Sequence, residues 1–243
     1  MIEIITPTEY SNVDEQKIEE TIYIGLYSDY YVRNKFISKV YWLLTLQLLI
    51  TLIICTIFMK VENISTFVLG NINILYFDIG MTFITLIILI CFQRSYPINL
   101  VLLHIFTVEI SYMIGTLCAS LKDNSDIVLM AFGATSITFI CLSSYVHISK
   151  IDFSFLNGFL FTCLNCLIIW SIFILIFGFQ TSYLYCIFGM FIFSGYILYD
   201  TSLIIYKLSI DDYVLAVLML YLDFINLFIK MLECLGKINK LIK

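Results

Sequence analysis

The longest uncharged stretch of the chain, residues 153–199, most constrains its fold. These 47 residues contain no Asp, Glu, Lys, Arg or His. A helix needs about 20 apolar residues to cross the roughly 30 Å hydrocarbon core of a bilayer, so the stretch is too long for one crossing. The sequence Gly-Phe-Gln-Thr-Ser at 178–182 is a natural break. The stretch therefore predicts two consecutive membrane helices.

The composition extends this prediction to the whole chain. The 243 residues are 61% hydrophobic and 13% charged, whereas a soluble domain carries about 25% charged residues. We therefore expect an all-α, multipass helical bundle with six firm spans and a seventh, semi-hydrophobic helix that carries Asp223. An acidic segment, 1–39, precedes this bundle of 40–229, and a short basic tail, 230–243, follows it. The predicted spans are 40–59, 74–93, 99–121, 127–146, 157–178, 183–206 and 213–229.

Lysine and arginine near the spans predict the orientation of the chain. Basic residues cluster before the first span and after the second, fourth and sixth, at positions that include Arg33, Arg94, Lys150 and Lys207. Because short cytosolic loops are enriched in these residues, we expect a cytosolic N-terminus. The basic tail from Lys230 onward conflicts with a seventh full crossing, and a re-entrant seventh segment would resolve the conflict. The sequence leaves both topologies open.

Two aspartates, Asp200 and Asp223, lie inside apolar segments and are spaced symmetrically about the polar stretch 207–212. In an antiparallel hairpin this spacing puts both carboxyl groups at one depth, roughly 15 Å from the turn. An ionisable group at that depth costs about 2.5–3.5 kcal/mol on insertion scales and is a functional-site hypothesis by default. Two such carboxyl groups are expected to share a proton. Asn226, three residues after Asp223, is expected to join them in a polar cluster.

Two more acidic positions are candidates for an ion pathway. Glu109 lies in the third span, and His104, five residues earlier, is about 140° away around the helix, so a joint metal site is not expected. Asp211 lies in the polar turn, where Asp211 and Asp212 are expected to be solvated and can concentrate cations at a pore mouth. The eight cysteines fall in or beside apolar stretches, where they are expected to pack rather than pair.

Other classes of seven-helix protein fit the residue inventory less well. A retinal-type photoreceptor needs a lysine in the middle of its last span, whereas Lys230 lies at the end. A zinc-dependent membrane hydrolase needs about three protein ligands, and the chain has two histidines, which makes this hypothesis a weaker alternative. A receptor is compatible with the length, but the intramembrane acids favour an ion pathway over a ligand pocket. We do not expect an enzyme.

Four sequence segments resemble the signature of the transmembrane Bax inhibitor motif family. The resemblance covers about residues 30–240 and is nearest to its Golgi anti-apoptotic, or lifeguard, branch. The abundance of Ile, Phe, Tyr, Asn and Lys is typical of AT-rich coding, as in some poxviruses that carry such a homologue. The segments are Gly195-Tyr-Ile-Leu-Tyr-Asp-Thr201, Asp212-Tyr-Val-Leu-Ala216, Leu220-Tyr-Leu-Asp-Phe-Ile-Asn-Leu-Phe228 and Tyr96-Pro-Ile-Asn-Leu100.

The resemblance implies a bundle in Golgi or endoplasmic reticulum membranes that suppresses apoptosis through a calcium leak. By motif position it assigns the ion gate to Asp200 and Asp223, with transient calcium there, and further acidic positions to Asp211 and Glu109. Calcium is then a permeating ion, and no fixed cofactor or metal is expected. Expected partners are membrane lipid, a second copy of the chain, and Bcl-2-type or calcium-release proteins, with no nucleic acid. The rival hypothesis is a non-conducting membrane protein that modulates such partners.

Overall fold

The computed structural model describes the backbone of residues 7–178 and 182–242, and the side chains of 30–178 and 182–239. These residues form α-helices and short 3-10 turns, with no strand among them. The predicted all-α fold is thus confirmed. The helices are α1 (Pro7–Lys60), α2 (Glu62–Gly70), α3 (Ile72–Cys91), α4 (Ile98–Ala119), α5 (Ser125–Ser149), α6 (Asn157–Phe177), α7 (Tyr183–Tyr206) and α8 (Tyr213–Ile242).

Seven of these helices are long and apolar enough to cross a membrane. The uncharged stretch divides into two helices as predicted. The helix α6 ends at Phe177 and is followed by Gly178, whose φ of 66° is in the left-handed region that favours glycine. The helix α7 begins after Ser182, whose hydroxyl accepts a hydrogen bond from the Leu184 N–H at 3.3 Å. The rest of the predicted break, 179–181, lies outside the described residues. The short helix α2 was not predicted.

The helix α8 does not end where the sequence suggests a tail. It continues without interruption from Tyr213 to Ile242, and Lys230 is buried at 7% exposure. Near its end the Asn239 amide donates to the Asn124 side chain at 3.3 Å, beside the turn between α4 and α5. This continuity favours a seventh full crossing over a re-entrant segment. Lys240 and Lys243 of the predicted tail, and most of the acidic segment, fall on residues whose side chains lie outside those described.

The helix α8 lies at the centre of the bundle. It packs against α7, α5 and α1, while α3 packs mainly on α4 and α6 mainly on α7. The degree of burial agrees with this arrangement, since 67% of the apolar part of α8 is buried inside the bundle, compared with 11% for α6. The semi-hydrophobic segment is therefore the innermost one, which explains how its charged residues are tolerated. Its fully buried side chains are Val214, Ala216, Val217, Leu220, Tyr221 and Leu227.

Candidate functional site

The structure brings Asp200 and Asp223 together in the centre of the bundle. Asp200 on α7 is 4% exposed and Asp223 on α8 is 7% exposed, and their carboxyl groups lie close enough to interact electrostatically. The two helices pack antiparallel around the turn at 207–212, so residues equally far from that turn meet. The symmetric spacing in the sequence thus becomes a side-chain contact.

The contact has a direct chemical consequence for protonation. An ionised carboxylate only accepts hydrogen bonds, so two carboxyl groups can bond to each other only when one carries a proton. One oxygen of Asp223, Oδ2, is buried without a partner among the described residues. On α7, Tyr196 interacts electrostatically with both aspartates and Tyr199 with Asp200. The pair is suited to hold one shared proton and to change its charge when that proton leaves.

Asn226 does not hydrogen-bond to this pair in the structure. Its side-chain amide donates to the carbonyl oxygen of Leu222 at 2.8 Å, one turn earlier on the same helix. Polar side chains in membrane helices commonly donate such a hydrogen bond, because the backbone carbonyl one turn earlier lies within reach. The expected polar cluster therefore consists of the two aspartates, with Asn226 one turn away and partnered by its own helix.

The two acidic residues of the turn have different environments. Asp211 is exposed, as expected for a solvated turn. Asp212 is 8% exposed and accepts two hydrogen bonds from Arg94, at 2.6 Å from Nε and 2.9 Å from Nη2. These bonds raise the pKa of the Arg94 guanidinium. The prediction that both residues are solvated is wrong for Asp212, because Arg94 reaches it from the turn between α3 and α4.

Further contacts anchor the same turn to the rest of the bundle. Arg33 on α1 donates to the Leu208 carbonyl at 2.6 Å, at the C-terminal end of α7, where a cation is favoured by the helix dipole. Lys39 lies 3.2 Å from the centre of the Tyr213 ring. Lys207 pairs with Asp152 at 3.2 Å. The backbone N–H of Ser154, with further hydrogen bonds, lowers the pKa of the Asp152 carboxyl.

Glu109 lies apart from the aspartate pair, on the face of α4 that meets α3. Thr85 on α3 donates to its Oε1 at 2.9 Å, and its Oε2 is buried without a partner among the described residues. Asp78 on α3 lies close enough to interact electrostatically with it. The structure therefore gives Glu109 an acidic neighbour that the sequence did not suggest. The predicted acidic residues divide between two places, one at α7 and α8 and one at α3 and α4.

A buried polar seam joins α1, α4 and α8. Gln47 donates to Thr107 at 2.7 Å, and Thr51 bonds to Ser111 at 2.8 Å and to the Tyr221 hydroxyl at 2.9 Å. The helices α1 and α4 each contribute two polar residues four positions apart, which places them on one face, and α8 contributes Tyr221. That spacing was visible in the sequence, as Gln47 and Thr51 on one helix and Thr107 and Ser111 on the other, and could have predicted the seam.

A second buried charge lies on α8 beyond the aspartate pair. The Lys230 ammonium donates to Glu233 at 3.0 Å and to the Tyr185 hydroxyl at 3.1 Å, and lies over the Tyr185 ring at 4.2 Å. Lys230 and Asp223 are seven residues apart, so both face α7. Because this lysine is paired inside the bundle, it does not act as an exposed basic residue of a tail. One of the four lysines that pointed to a re-entrant segment is thereby explained by packing within the bundle.

Comparison with known proteins gives one consistent result. The family model described as inhibitor of apoptosis-promoting Bax1 matches residues 33–240. A BI1-like protein of Arabidopsis thaliana is 36% identical over 223 residues, covering 89% of this chain and 86% of that protein. Protein lifeguard 3 of Homo sapiens is 30% identical over 239 residues, covering 93% and 76%. The Golgi anti-apoptotic protein of vaccinia virus strain Lister is 34% identical over 215 residues, covering 86% and 88%.

Proposed function

This chain belongs to the Bax1-I family of inhibitors of apoptosis-promoting Bax1, and we propose that it suppresses apoptosis as a pH-sensitive calcium leak gated by Asp200 and Asp223. The proposal includes residence in Golgi and endoplasmic reticulum membranes with a cytosolic N-terminus. Relatives named Bax inhibitor 1 and Golgi anti-apoptotic protein support the anti-apoptotic role. The observation that supports the gating mechanism is the burial of both carboxyl groups, at 4% and 7% exposure, on two helices that pack against each other.

The gate works through the charge of this pair. With one proton shared, a neutral carboxyl and a carboxylate attract each other and hold α7 against α8. When the proton leaves, two negative charges about 4 Å apart repel by about 4 kcal/mol at an effective dielectric constant of 20. That energy favours separation of the two helices and exposes two carboxylates, which are oxygen ligands suited to calcium. The leak therefore increases as the pH rises.

Contacts at the 207–212 turn restrict where α7 and α8 can separate. The bonds from Arg33 to Leu208 and from Arg94 to Asp212 fix the ends of α7 and α8 next to the turn. Beyond the aspartates, the contact between Lys230 and Tyr185 holds the same two helices. Separation driven by charge at the aspartate pair is thus confined to the middle of the hairpin. A leak through such a restricted opening is expected to be slow.

A non-conducting role is the second candidate function, and the deep burial of the two aspartates favours it. In that role Asp200 and Asp223, at 4% and 7% exposure, only stabilise packing, and the protein acts by binding Bcl-2-type or calcium-release partners. Purified protein in calcium-loaded liposomes distinguishes the two functions, because no partner is present. We expect calcium efflux that increases from pH 6 to pH 8. Efflux equal to that of protein-free liposomes at every pH would favour the non-conducting role.

A further inference from the structure

A cleft separates α1 from α5 on the outside of the bundle. Both helices pack against α8, but they make little contact with each other. Two cavities lie between them, with volumes of about 360 and 410 Å³. Leu48 of α1 and Phe224 of α8 line both cavities, so the cavities adjoin along the bundle. The cleft therefore extends along α1, with α8 as its floor.

The lining of the cleft is apolar in the middle and charged at one end. Its first cavity includes Cys55, Cys118 and Phe228 deep inside, and Lys60, Ser125 and Asp126 where α1 ends and α5 begins. Leu129 on its wall is 71% exposed, so the cleft opens sideways towards lipid. An apolar cavity of about 300–1,000 Å³ with a few polar groups at fixed positions is typical of a ligand site.

We propose that this cleft binds a zwitterionic phospholipid, with one acyl chain between α1 and α5 and the headgroup at Lys60, Ser125 and Asp126. Lys60 and Asp126 line the same end of the cleft, and neither forms an ion pair with another described residue. A phosphate matches the Lys60 ammonium and the Ser125 hydroxyl. An ammonium group on the same headgroup matches the Asp126 carboxylate. An anionic headgroup without an amine would satisfy Lys60 and be repelled by Asp126.

The form of the cleft favours an extended chain over a helix. It consists of two cavities, of about 360 and 410 Å³, that adjoin at Leu48 and Phe224. A helix crossing the membrane would need several turns along the whole cleft. A flexible hydrocarbon chain can instead pass from one cavity to the other beside Leu48.

The bound chain would contact the helix that carries Asp223. Phe224, the next residue, lines both cavities and packs against the rings of Phe132 and Phe139, with centroids 6.0 and 5.6 Å away. Successive residues of a helix point about 100° apart, so the lipid lies on a different side of α8 from the aspartate pair. An acyl chain in the cleft therefore packs against the side of α8 that faces away from the aspartates, and it does not enter the proposed ion path.

Photocrosslinking tests the acyl-chain site directly. The full chain is reconstituted with a phosphatidylethanolamine that carries a diazirine in one acyl chain, and the crosslinked peptides are mapped. We expect crosslinks concentrated on peptides that contain the cleft residues of α1 and α5. Thr56→Trp should fill the cleft and reduce these crosslinks at least fivefold. Thr162→Trp is the matched control, because both threonines are exposed and bond only to their own helix.

Two outcomes of this experiment would overturn the acyl-chain site. Crosslinks spread evenly over the lipid-facing helices would show ordinary annular lipid. An equal effect of Thr56→Trp and Thr162→Trp would show that the cleft is not occupied. If Thr56→Trp does not fold, Ser136→Trp fills the second cavity instead, where Ser136 is part of the lining. Size-exclusion profiles of each variant establish that the comparison is between folded proteins.

The headgroup is tested by changing one charge at a time. Asp126→Asn should reduce crosslinking of the phosphatidylethanolamine probe at least threefold, whereas Asp123→Asn, an exposed neighbour outside the cleft lining, should not. A diazirine phosphatidylglycerol, which has a phosphate and no amine, should crosslink less than phosphatidylethanolamine in the wild type. It should crosslink more once Asp126 is neutralised. Equal crosslinking of both probes in the wild type would overturn the zwitterionic preference.

Discussion

Arg94 donates to both carboxylate oxygens of Asp212, at 2.6 and 2.9 Å, and so joins the turn before α4 to the start of α8. The two residues are 118 positions apart in the chain. Asp212 is buried, whereas the side chain of Arg94 is 64% exposed. A bidentate pair of this kind fixes orientation as well as distance. It holds the base of the α7–α8 hairpin in one position relative to α3 and α4.

Breaking this ion pair should loosen the proposed gate. Arg94→Gln and Asp212→Asn are each expected to increase calcium efflux from liposomes at constant pH. Because the Arg94 partner is 64% exposed and solvent screens its charge, the increase should be only about two- to fivefold. The double variant should add little, since the two residues act as a unit. Asp211→Asn is the control, and it should instead lower efflux slightly in low salt by removing an exposed negative charge. Unchanged efflux in both Arg94→Gln and Asp212→Asn would remove the hairpin base from the mechanism.

The aspartate pair should carry the pH dependence of the leak. Asp200→Asn and Asp223→Asn each remove one titrating carboxyl, so neither variant can build up the repulsion that opens the gate. We expect the increase in efflux between pH 6 and pH 8 to shrink to within about twofold for each variant, and no further in the double variant. Calcium flux from liposomes, measured at equal protein content, gives the comparison.

Glu109→Gln is the control for the aspartate variants. Glu109 bonds to Thr85 on α3, away from the aspartate pair, so this change should alter the size of the flux and keep its pH response. Wild-type flux and pH response in both aspartate variants would contradict the gate. The partner-binding role would then explain the anti-apoptotic activity better.

The sequence predicts contacts where local pattern determines geometry. Charge-free lengths predicted α6 and α7, and equal spacing from a turn predicted that Asp200 and Asp223 lie at one depth. The bond between Arg94 and Asp212 could not be predicted from local pattern, because each residue lies in a polar segment that is typical of a solvated turn. Its formation depends on how α3 and α4 pack beside the hairpin, which no local pattern encodes.

Lys230 shows a second limit of the sequence. A lysine near the end of an apolar segment normally extends towards the aqueous boundary. The sequence therefore predicts that Lys230 begins a solvated tail. In the structure its stem passes Gly189, where a Cβ would lie 2.8 Å from the lysine Cδ. The glycine on α7 makes room for the stem, and Tyr185 and Glu233 bind the charge. This combination of residues from two helices is visible only after the helices are packed.

The Lys230–Glu233 pair should contribute to stability through burial of the lysine. Lys230→Met keeps the apolar stem and leaves Glu233, whose side chain is 32% exposed, with the weak Cys186 thiol donor at 3.8 Å. We expect the free energy of unfolding to fall by about 1 kcal/mol, the low end of the cost of leaving a buried polar group unpaired, because Glu233 retains contact with solvent. Lys230→Met with Glu233→Leu should recover most of the loss. Thermal unfolding in detergent measures the stability of the single and the double variant. If the double variant loses as much stability as the single variant, the Lys230–Glu233 pair is not the cause of the loss.

The orientation of the two chain ends tests the count of crossings. Seven crossings with a cytosolic N-terminus put the C-terminus on the other side of the membrane. A glycosylation acceptor added after Lys243 should therefore be modified in microsomes. A tag at the N-terminus should be digested by protease added outside sealed microsomes. A well-expressed protein with an unmodified C-terminal acceptor would instead favour a re-entrant seventh segment, and a protected N-terminal tag would reverse the orientation.

The polar seam should stabilise the packing of α1 against α4 and α8. Thr51→Val removes the bonds to Ser111 and Tyr221, which measure 2.8 and 2.9 Å, with almost no change in volume. Hydrogen bonds between membrane helices contribute about 0.6 kcal/mol each on average, and at most about 1.7 kcal/mol. The expected loss in unfolding free energy is therefore about 1–2 kcal/mol.

Thr56→Val is the matched control for the seam. Thr56 lies on the same helix, is exposed, and bonds only to the Leu52 carbonyl of its own helix at 2.7 Å. Its replacement should change the unfolding free energy by less than about 0.5 kcal/mol, as surface substitutions usually do. Unfolding of both variants in the same detergent gives the comparison. Equal losses in the two would mean that threonine contributes through its own helix alone, and that the bonds from Thr51 to α4 and α8 add nothing to stability.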